Sequence, residues 1–251
     1  MNETIKTILD HRSIRSFQEK ELAEDQIKLI VESAQAASTS SFVQAYTIIG
    51  VKDPIKKAEL AKLAGNQAYV AKNGHFLVFC LDLHRIQLAA AMEGVEEVAM
   101  LASLRSTELY TVGVVDASLA AQNASIAAES MGLGICYIGG LRNELDQVSA
   151  LLKTPEYVVP LFGLCIGYVD YRTDKKLRLP IPAIYHEEEY LSDQNMKMEL
   201  EKYNKDIAAY YKQRTGGKRE DRWTQMMAKQ LLNAKRLYLK SYLARKKLTL
   251  E

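Results

Sequence analysis

Apolar positions along the chain recur with two periods, and the switches between them lay out the elements. Ile5, Ile8 and Leu9 are spaced for a short helix. From Glu24 to Ala37, a broad apolar stripe of Ile27, Leu29, Ile30, Val31 and Ala34 follows acidic first-turn residues, which predicts a longer helix. Gln44 to Val51 predicts a strand. Pro54 opens a helix that runs to Ala64. Phe76 to Leu83 is nearly all apolar and predicts a buried strand. Residues 85–110 mix charge with small apolar groups and predict helix. Val112 to Met131 is rich in Ala and apolar nearly all round, so its helix belongs in a core or a subunit interface. Gly132 and Gly134 stop it. Ile135 to Ile138 is a short strand, about Asn143 to Leu152 a helix, and Tyr157 to Tyr168 a further buried strand. From about Leu191 the chain is charged, Tyr-rich and helical in pattern.

Four strands separated by helices give an α+β class. The pattern shows no internal repeat and no low-complexity segment. The nearest shift in composition lies between Tyr168 and Tyr190, so the chain divides into a core over residues 1–190 and a helical C-terminal extension over 191–251.

Composition excludes several classes. The 33 basic and 31 acidic residues leave a formal charge of +2, which is no global field for nucleic acid. Local basic clusters are therefore sites or solvated faces. Cys80, Cys136 and Cys165 lie far apart in apolar runs with no CxxC pairing, which favours buried free thiols in a reducing cytoplasm over a metal site or disulfides. The N-terminus has no signal-peptide core, and no apolar run reaches the roughly 18 residues of a membrane span. GxGxxG after a strand, GxxxxGK[ST], GxSxG and HExxH are all absent.

Five polar clusters remain. His11-Arg12-Ser13-Ile14-Arg15-Ser16-Phe17 offers guanidinium forks, hydroxyls and an imidazole, the donors a phosphate needs; the alternative is a solvated basic loop. Asn66-Gln67-Ala68-Tyr69 is either a helix N-cap or an amide pair for a heterocycle edge. Ile138-Gly139-Gly140-Leu141-Arg142-Asn143 is a plain strand-to-helix turn with an Asn cap, or a backbone that lets a flat ligand approach. In Lys175-Lys176-Leu177-Arg178, alternation puts Lys176 and Arg178 on one side of an extended segment, which suits an anion or an exposed loop. Arg214-Thr215-Gly216-Gly217-Lys218-Arg219 is a surface loop or a second phosphate site.

The strings HRSIRSF, ASTSSFVQAY, GNQAYV, AAQNASIAAESMGLGICYIGGLRNE, VVPLFGLCIG, KKLRLP and YYKQRTGGKRE occur in this order. Together they resemble the NADPH-dependent flavin and nitroaromatic reductases, the larger group of oxygen-insensitive nitroreductases, from about residue 3 to 225. The resemblance implies the nitroreductase fold, a central mostly antiparallel sheet wrapped by helices, in an FMN-containing homodimer. It places flavin contacts at His11, Arg12, Ser13, Arg15, Gln67, Tyr69, Ile138, Gly139, Gly140, Lys176 and Arg178. Thr39 and Ser41 of the hydroxyl-rich loop would reach in from the other subunit; Thr39 stands where relatives carry Ser, and the hydroxyl is kept. Arg214 and Arg219 correspond to NADPH-binding arginines. Segment 85–111 matches poorly and would shape substrate access.

The resemblance implies that FMN takes a hydride from NADPH and passes electrons to nitroaromatics, quinones or free flavin by ping-pong turnover. No side chain serves as acid or base, and Arg15 supports the reduced ring electrostatically. The alternative is a non-catalytic FMN-binding or flavin-delivery protein. The weakest option, nucleic-acid binding by Lys235 to Lys247, is disfavoured because Leu239, Tyr242 and Leu243 suit a packed amphipathic helix.

Overall fold

The computed structural model describes residues 1–250. It divides into two compact units, one formed by residues 1–174 with the segment from Tyr238 onward, the other by Lys175–Leu237. The expected division near residue 190 falls inside the second unit.

The first unit is built on four strands: β1 (Tyr46–Val51), β2 (His75–Asp82), β3 (Gly134–Ile138) and β4 (Val158–Gly167). Their spatial order is β1-β2-β4-β3, and every neighbouring pair is antiparallel. Helices α1 (Glu3–Leu9), α2 (Glu24–Gln35), α3 (Pro54–Leu63), α4 (Ala68–Ala71), α5 (His84–Met92), α6 (Glu97–Leu104), α7 (Thr107–Ser130) and α8 (Leu145–Leu152) surround them.

The period-2 rule explains why β2 reads as one unbroken apolar run. Leu77, Phe79 and Leu81 point into a core shared with Ile30 of α2 and the Ala117–Ala128 face of α7. Phe76, Val78 and Cys80 point the other way, against Leu60, Ala61 and Leu63 of α3 and Val148 of α8. Helices thus cover both faces of the sheet. The β2–β4 register shifts between Phe79, opposite Phe162, and Cys80, opposite Pro160. Pro160 has no N–H to give the ladder, so the irregularity sits where proline is tolerated. The three thiols are free and buried, and burial pushes Cys80 up to about 12.

Local chemistry sets the boundaries. Asp53 caps α3 by accepting N–H groups from Ile55 (2.8 Å) and Lys56 (3.0 Å), with Pro54 at the first helical position. Residues 85–110 form separate helices broken near Gly94, which takes a φ of +79°. α7 starts earlier than its apolar stretch, because Ser106 accepts the Leu109 N–H at 3.1 Å and adds a polar first turn. Its inner face carries Ala117, Ala120, Ala121, Ala124 and Ala128, while Val115 and Leu119 are exposed on the other side. The Asn143 cap expected for α8 does not form: residues 139–143 make a 3₁₀ turn, and Glu144 precedes the helix without a side-chain cap bond.

In the second unit, α9 (Asp193–Arg214) and α10 (Trp223–Leu231) pack through Tyr203, Ile207, Tyr211, Trp223 and Met226. The chain then returns to the first unit as α11 (Leu239–Arg245), where Tyr242, Leu243 and Leu248 are buried. This is the amphipathic packing that the spacing of Leu239, Tyr242 and Leu243 predicts. No helix among the described residues is long and apolar enough to cross a membrane.

Candidate functional site

Residues 11–17 run as an extended edge beside β3. Ser13 forms a parallel bridge to Ile135, and Ile14 N–H donates to the Ile135 carbonyl at 2.8 Å. Ile14 is buried and Arg15 exposed, as alternation requires. Arg15 lies beside the Tyr69 phenol. Burial raises that phenol above its ordinary value, and the thiols of Cys136 and Cys165 add to the rise, while the guanidinium pulls it down. The Tyr69 hydroxyl donates to Gln67 Oε1, and Gln67 Nε2 donates to the Ala64 carbonyl at 2.5 Å.

Gly140 completes this set. A Cβ there would lie 2.3 Å from the Ala64 carbonyl oxygen and 2.4 Å from Gln67 Nε2, so only glycine lets the turn sit on the amide. Gly139 and Gly140 open the 3₁₀ turn, where the first N–H groups have no partner within the turn itself. Ile138 is buried in the core, so its main chain is what it can offer a ligand. The structure thus brings Arg15, Tyr69, Gln67 and Gly140 together. Asn66 does not cap α4; it takes a φ of +58°, and the amide with a role is its neighbour's.

His11 and Arg12 are held by acids. His11 Nδ1 lies 2.8 Å from Glu129 Oε1, near the end of α7, which leaves Nε2 as the free ring edge. Arg12 Nη2 donates to Asp10 Oδ1 at 2.6 Å, and Arg172 Nη1 stands 3.7 Å from Asp10 Oδ2. Arg12, Asp10, Glu129 and Arg172, with Lys6 and Gly134, line a cleft of about 270 Å³.

Thr39 and Ser41 belong to a different local structure. The loop turns through a short 3₁₀ segment, Ser40–Phe42, with positive φ at Ser41, Phe42 and Gln44. Asp116 of α7, fully buried, accepts the backbone N–H of Ser40 at 2.9 Å and of Ala45 at 3.0 Å. Phe42 projects from the loop, 83% exposed.

In the second unit, Lys176 and Arg178 are exposed on an extended segment, and Arg178 Nη1 donates to the Lys176 carbonyl at 3.1 Å. Arg214 and Arg219 are each held at one of two adjacent rings, Tyr210 and Tyr211, whose centroids are 5.3 Å apart. Arg214 Nη1 donates to the Tyr210 hydroxyl at 3.0 Å, and the Arg219 guanidinium carbon stands 4.5 Å from the Tyr211 centroid. Asp221 Oδ2 accepts from Arg219 Nε at 2.6 Å, and Thr215 Oγ1 accepts the Arg219 backbone N–H at 2.9 Å. Gly216 and Gly217, with φ of +60° and +83°, make the reversal that returns Arg219 to the α9 rings.

The sequence reading missed Glu129, Asp116, Asp221 and the tyrosine pair. Only Asp116 left a signal, a lone charge within an apolar helical run.

The Nitroreductase family model matches residues 8–168, and the model of the Nitroreductase family, C-terminal domain, matches residues 176–251. The chain is 54% identical over 247 residues to the FMN reductase (NADPH) of Bacillus subtilis strain 168, covering 98% of each protein. The solved structure of B. megaterium NfrA1 is 56% identical and superposes with a TM-score of 0.96 over 99% of this chain and 100% of that one. The NADPH:FMN oxidoreductase from Vibrio harveyi, solved in complex with NAD+, is 39% identical with a TM-score of 0.86 over 99% of both chains.

Proposed function

The chain belongs to the nitroreductase family, and from that premise we propose that it is an NADPH-dependent FMN reductase. It takes a hydride from NADPH and delivers electrons to a flat, electron-poor acceptor, a nitroaromatic, a quinone or free flavin, in ping-pong order. The observation that carries the reading is the Arg15 guanidinium held beside Tyr69 in the set that runs through Gln67 to Gly140.

The donor set fits FMN. The edge offers the exposed Arg15, the Ser13 hydroxyl, the Gln67 amide and the leading N–H groups of the glycine turn, all suited to the oxygens and nitrogens along one side of a flat heterocycle. His11 Nε2 and Arg12 add donors for a phosphate, with Glu129 and Asp10 fixing their orientation. When bound, FMN supplies the hydride-accepting and hydride-donating chemistry.

The chain's own residues bind and orient. With FMN bound, Arg15 would supply a fixed positive charge beside the ring, and the N–H groups of Gly139 and Gly140 would face its polar edge without a side chain in the way. Tyr69 and Gln67 hold each other through the hydroxyl–amide bond, which would keep the Gln67 amide in one orientation toward a ligand. No side chain has to move a proton.

The second unit carries its own anion contacts. Lys176 and Arg178 would take a phosphate, and Arg214 and Arg219, steadied on Tyr210 and Tyr211, are the pair that would take the 2′-phosphate of NADPH. A homodimer is part of the reading: Ile5, Ile8 and Leu9 of α1, Val115 and Leu119 of α7, and Phe42 are exposed apolar side chains, and the Thr39–Ser41 loop beside Phe42 would serve the other subunit's site.

The experiment is a visible spectrum of the purified protein, followed by anaerobic NADPH. Flavin bands that bleach with NADPH and return with a nitroaromatic support the reductase. Flavin that stays oxidised under NADPH leaves a flavin-binding protein without turnover, and a protein that takes up no FMN overturns the reading.

A further inference from the structure

Residues 139–145 run from the end of β3 to the first residue of α8, and two of their backbone polar groups find a partner far along the chain. The Tyr238 hydroxyl donates to the Arg142 carbonyl at 2.8 Å and accepts the Leu145 N–H at 2.9 Å. One phenol therefore closes the end of the glycine turn and caps the start of α8, where Glu144 supplies no side-chain bond. Arg142 is held from its other end as well: Nη1 donates to the Leu161 carbonyl of β4 at 2.6 Å. Its guanidinium packs beside Gly139, since a Cβ on Gly139 would stand 3.2 Å from Arg142 Nη2. The path from Tyr238 to Arg142 to Gly139 is contiguous.

We propose that Tyr238 is a positioning residue for the Gly139–Gly140 turn, so that the returning C-terminal segment sets the geometry of the flavin-facing backbone. The flavin part rests on the FMN reading above; the positioning of the turn does not. A 3₁₀ segment of five residues has little stiffness of its own, so its shape depends on what it is tied to. Removing the hydroxyl leaves a carbonyl and an amide unpartnered in a part-buried place, and the turn shifts to find water for them. Tyr242 is the internal control. It lies on the same returning segment, and its hydroxyl meets Ser149 Oγ at 2.7 Å in a buried contact with the body of α8, away from the turn.

The test compares Tyr238→Phe with Tyr242→Phe in the full chain. Both keep the aromatic ring. The first readout is amide hydrogen exchange across 139–145, which needs no flavin: exchange rises in Tyr238→Phe and stays at the wild-type rate in Tyr242→Phe. The second is FMN itself, followed by quenching of its fluorescence. Tyr238→Phe weakens FMN binding on the order of tenfold and alters the visible bands of the bound flavin, whereas Tyr242→Phe lowers the melting temperature with binding and spectrum unchanged. Equal exchange in the two variants overturns the proposal, and so does equal weakening of FMN binding. Wild-type protein that binds no FMN sinks the FMN reading alone, and the exchange comparison still decides the role of Tyr238.

Discussion

The carboxylate of Asp116 accepts the backbone N–H of Ser40 at 2.9 Å, and its second oxygen takes that of Ala45, so one buried side chain of α7 grips the chain within the hydroxyl-rich loop and again just after it. Each oxygen of this buried side chain is paired, as burial of a polar group requires. Asp116→Asn keeps one acceptor and turns an NH₂ toward the other amide. We expect a loss of about 2–3 kcal/mol in unfolding free energy by urea titration. A loss below half of that would show that the clamp is not tight. FMN retention should fall with it, since Thr39 and Ser41 are on this loop.

Arg15→Ala tests the electrostatic role at the flavin edge. The reduction potential of bound flavin should drop, and single-turnover reduction by NADPH should slow on the order of 100-fold. Arg15→Lys should recover part of the potential, since it restores charge without the fork. A variant that keeps the wild-type potential would remove Arg15 from the mechanism.

For the nucleotide, Arg219→Ala should raise KM for NADPH roughly 10- to 150-fold, the worth of one charge-assisted contact, and change KM for NADH far less. Equal changes for the two nucleotides would assign Arg219 to something other than the 2′-phosphate. Because Tyr211 and Asp221 hold the Arg219 side chain, Tyr211→Ala should reproduce the same selectivity change in weaker form.

His75 supplies the pH dependence. Burial, with Lys52 and Lys57 nearby, pushes its imidazole from 6.5 down to about 4. The unfolded chain takes up its proton near the ordinary value, while the folded chain does so only near 4. The unfolded state therefore binds more protons between these values, and stability is complete above about 6.5 and is lost as pH falls toward 4. The full effect is on the order of 3 kcal/mol. Urea midpoints taken across this range should fall for the wild type and fall less for His75→Gln. Parallel falls would place the loss on other groups.

Much of the fold was legible because it rests on local pattern. The unbroken run in β2 announced burial on both faces, and the alanine-rich α7 announced close packing, since such segments have no other place to go. The candidate site was legible only as donor-rich strings. Their partners were not, because an acid that orients a base lies across space: Glu129 is 118 residues from His11, and nothing about either position records the other. Gln67 and Gly140 were visible singly, but their close approach was not. The Asn143 cap was a fair expectation from composition, displaced when the turn tightened into 3₁₀ and Tyr238 took over the capping.

The return of α11 to the first unit also bears on the order in which the protein can be made. Tyr238, Tyr242 and Leu243 are translated after the whole of Lys175–Leu237, yet they complete the core that holds β2 and α7. While the chain is still on the ribosome, residues 1–174 must wait with part of that core open and the 139–145 backbone unbraced. Flavin uptake by the first unit, on the reading proposed above, would then follow the emergence of α11.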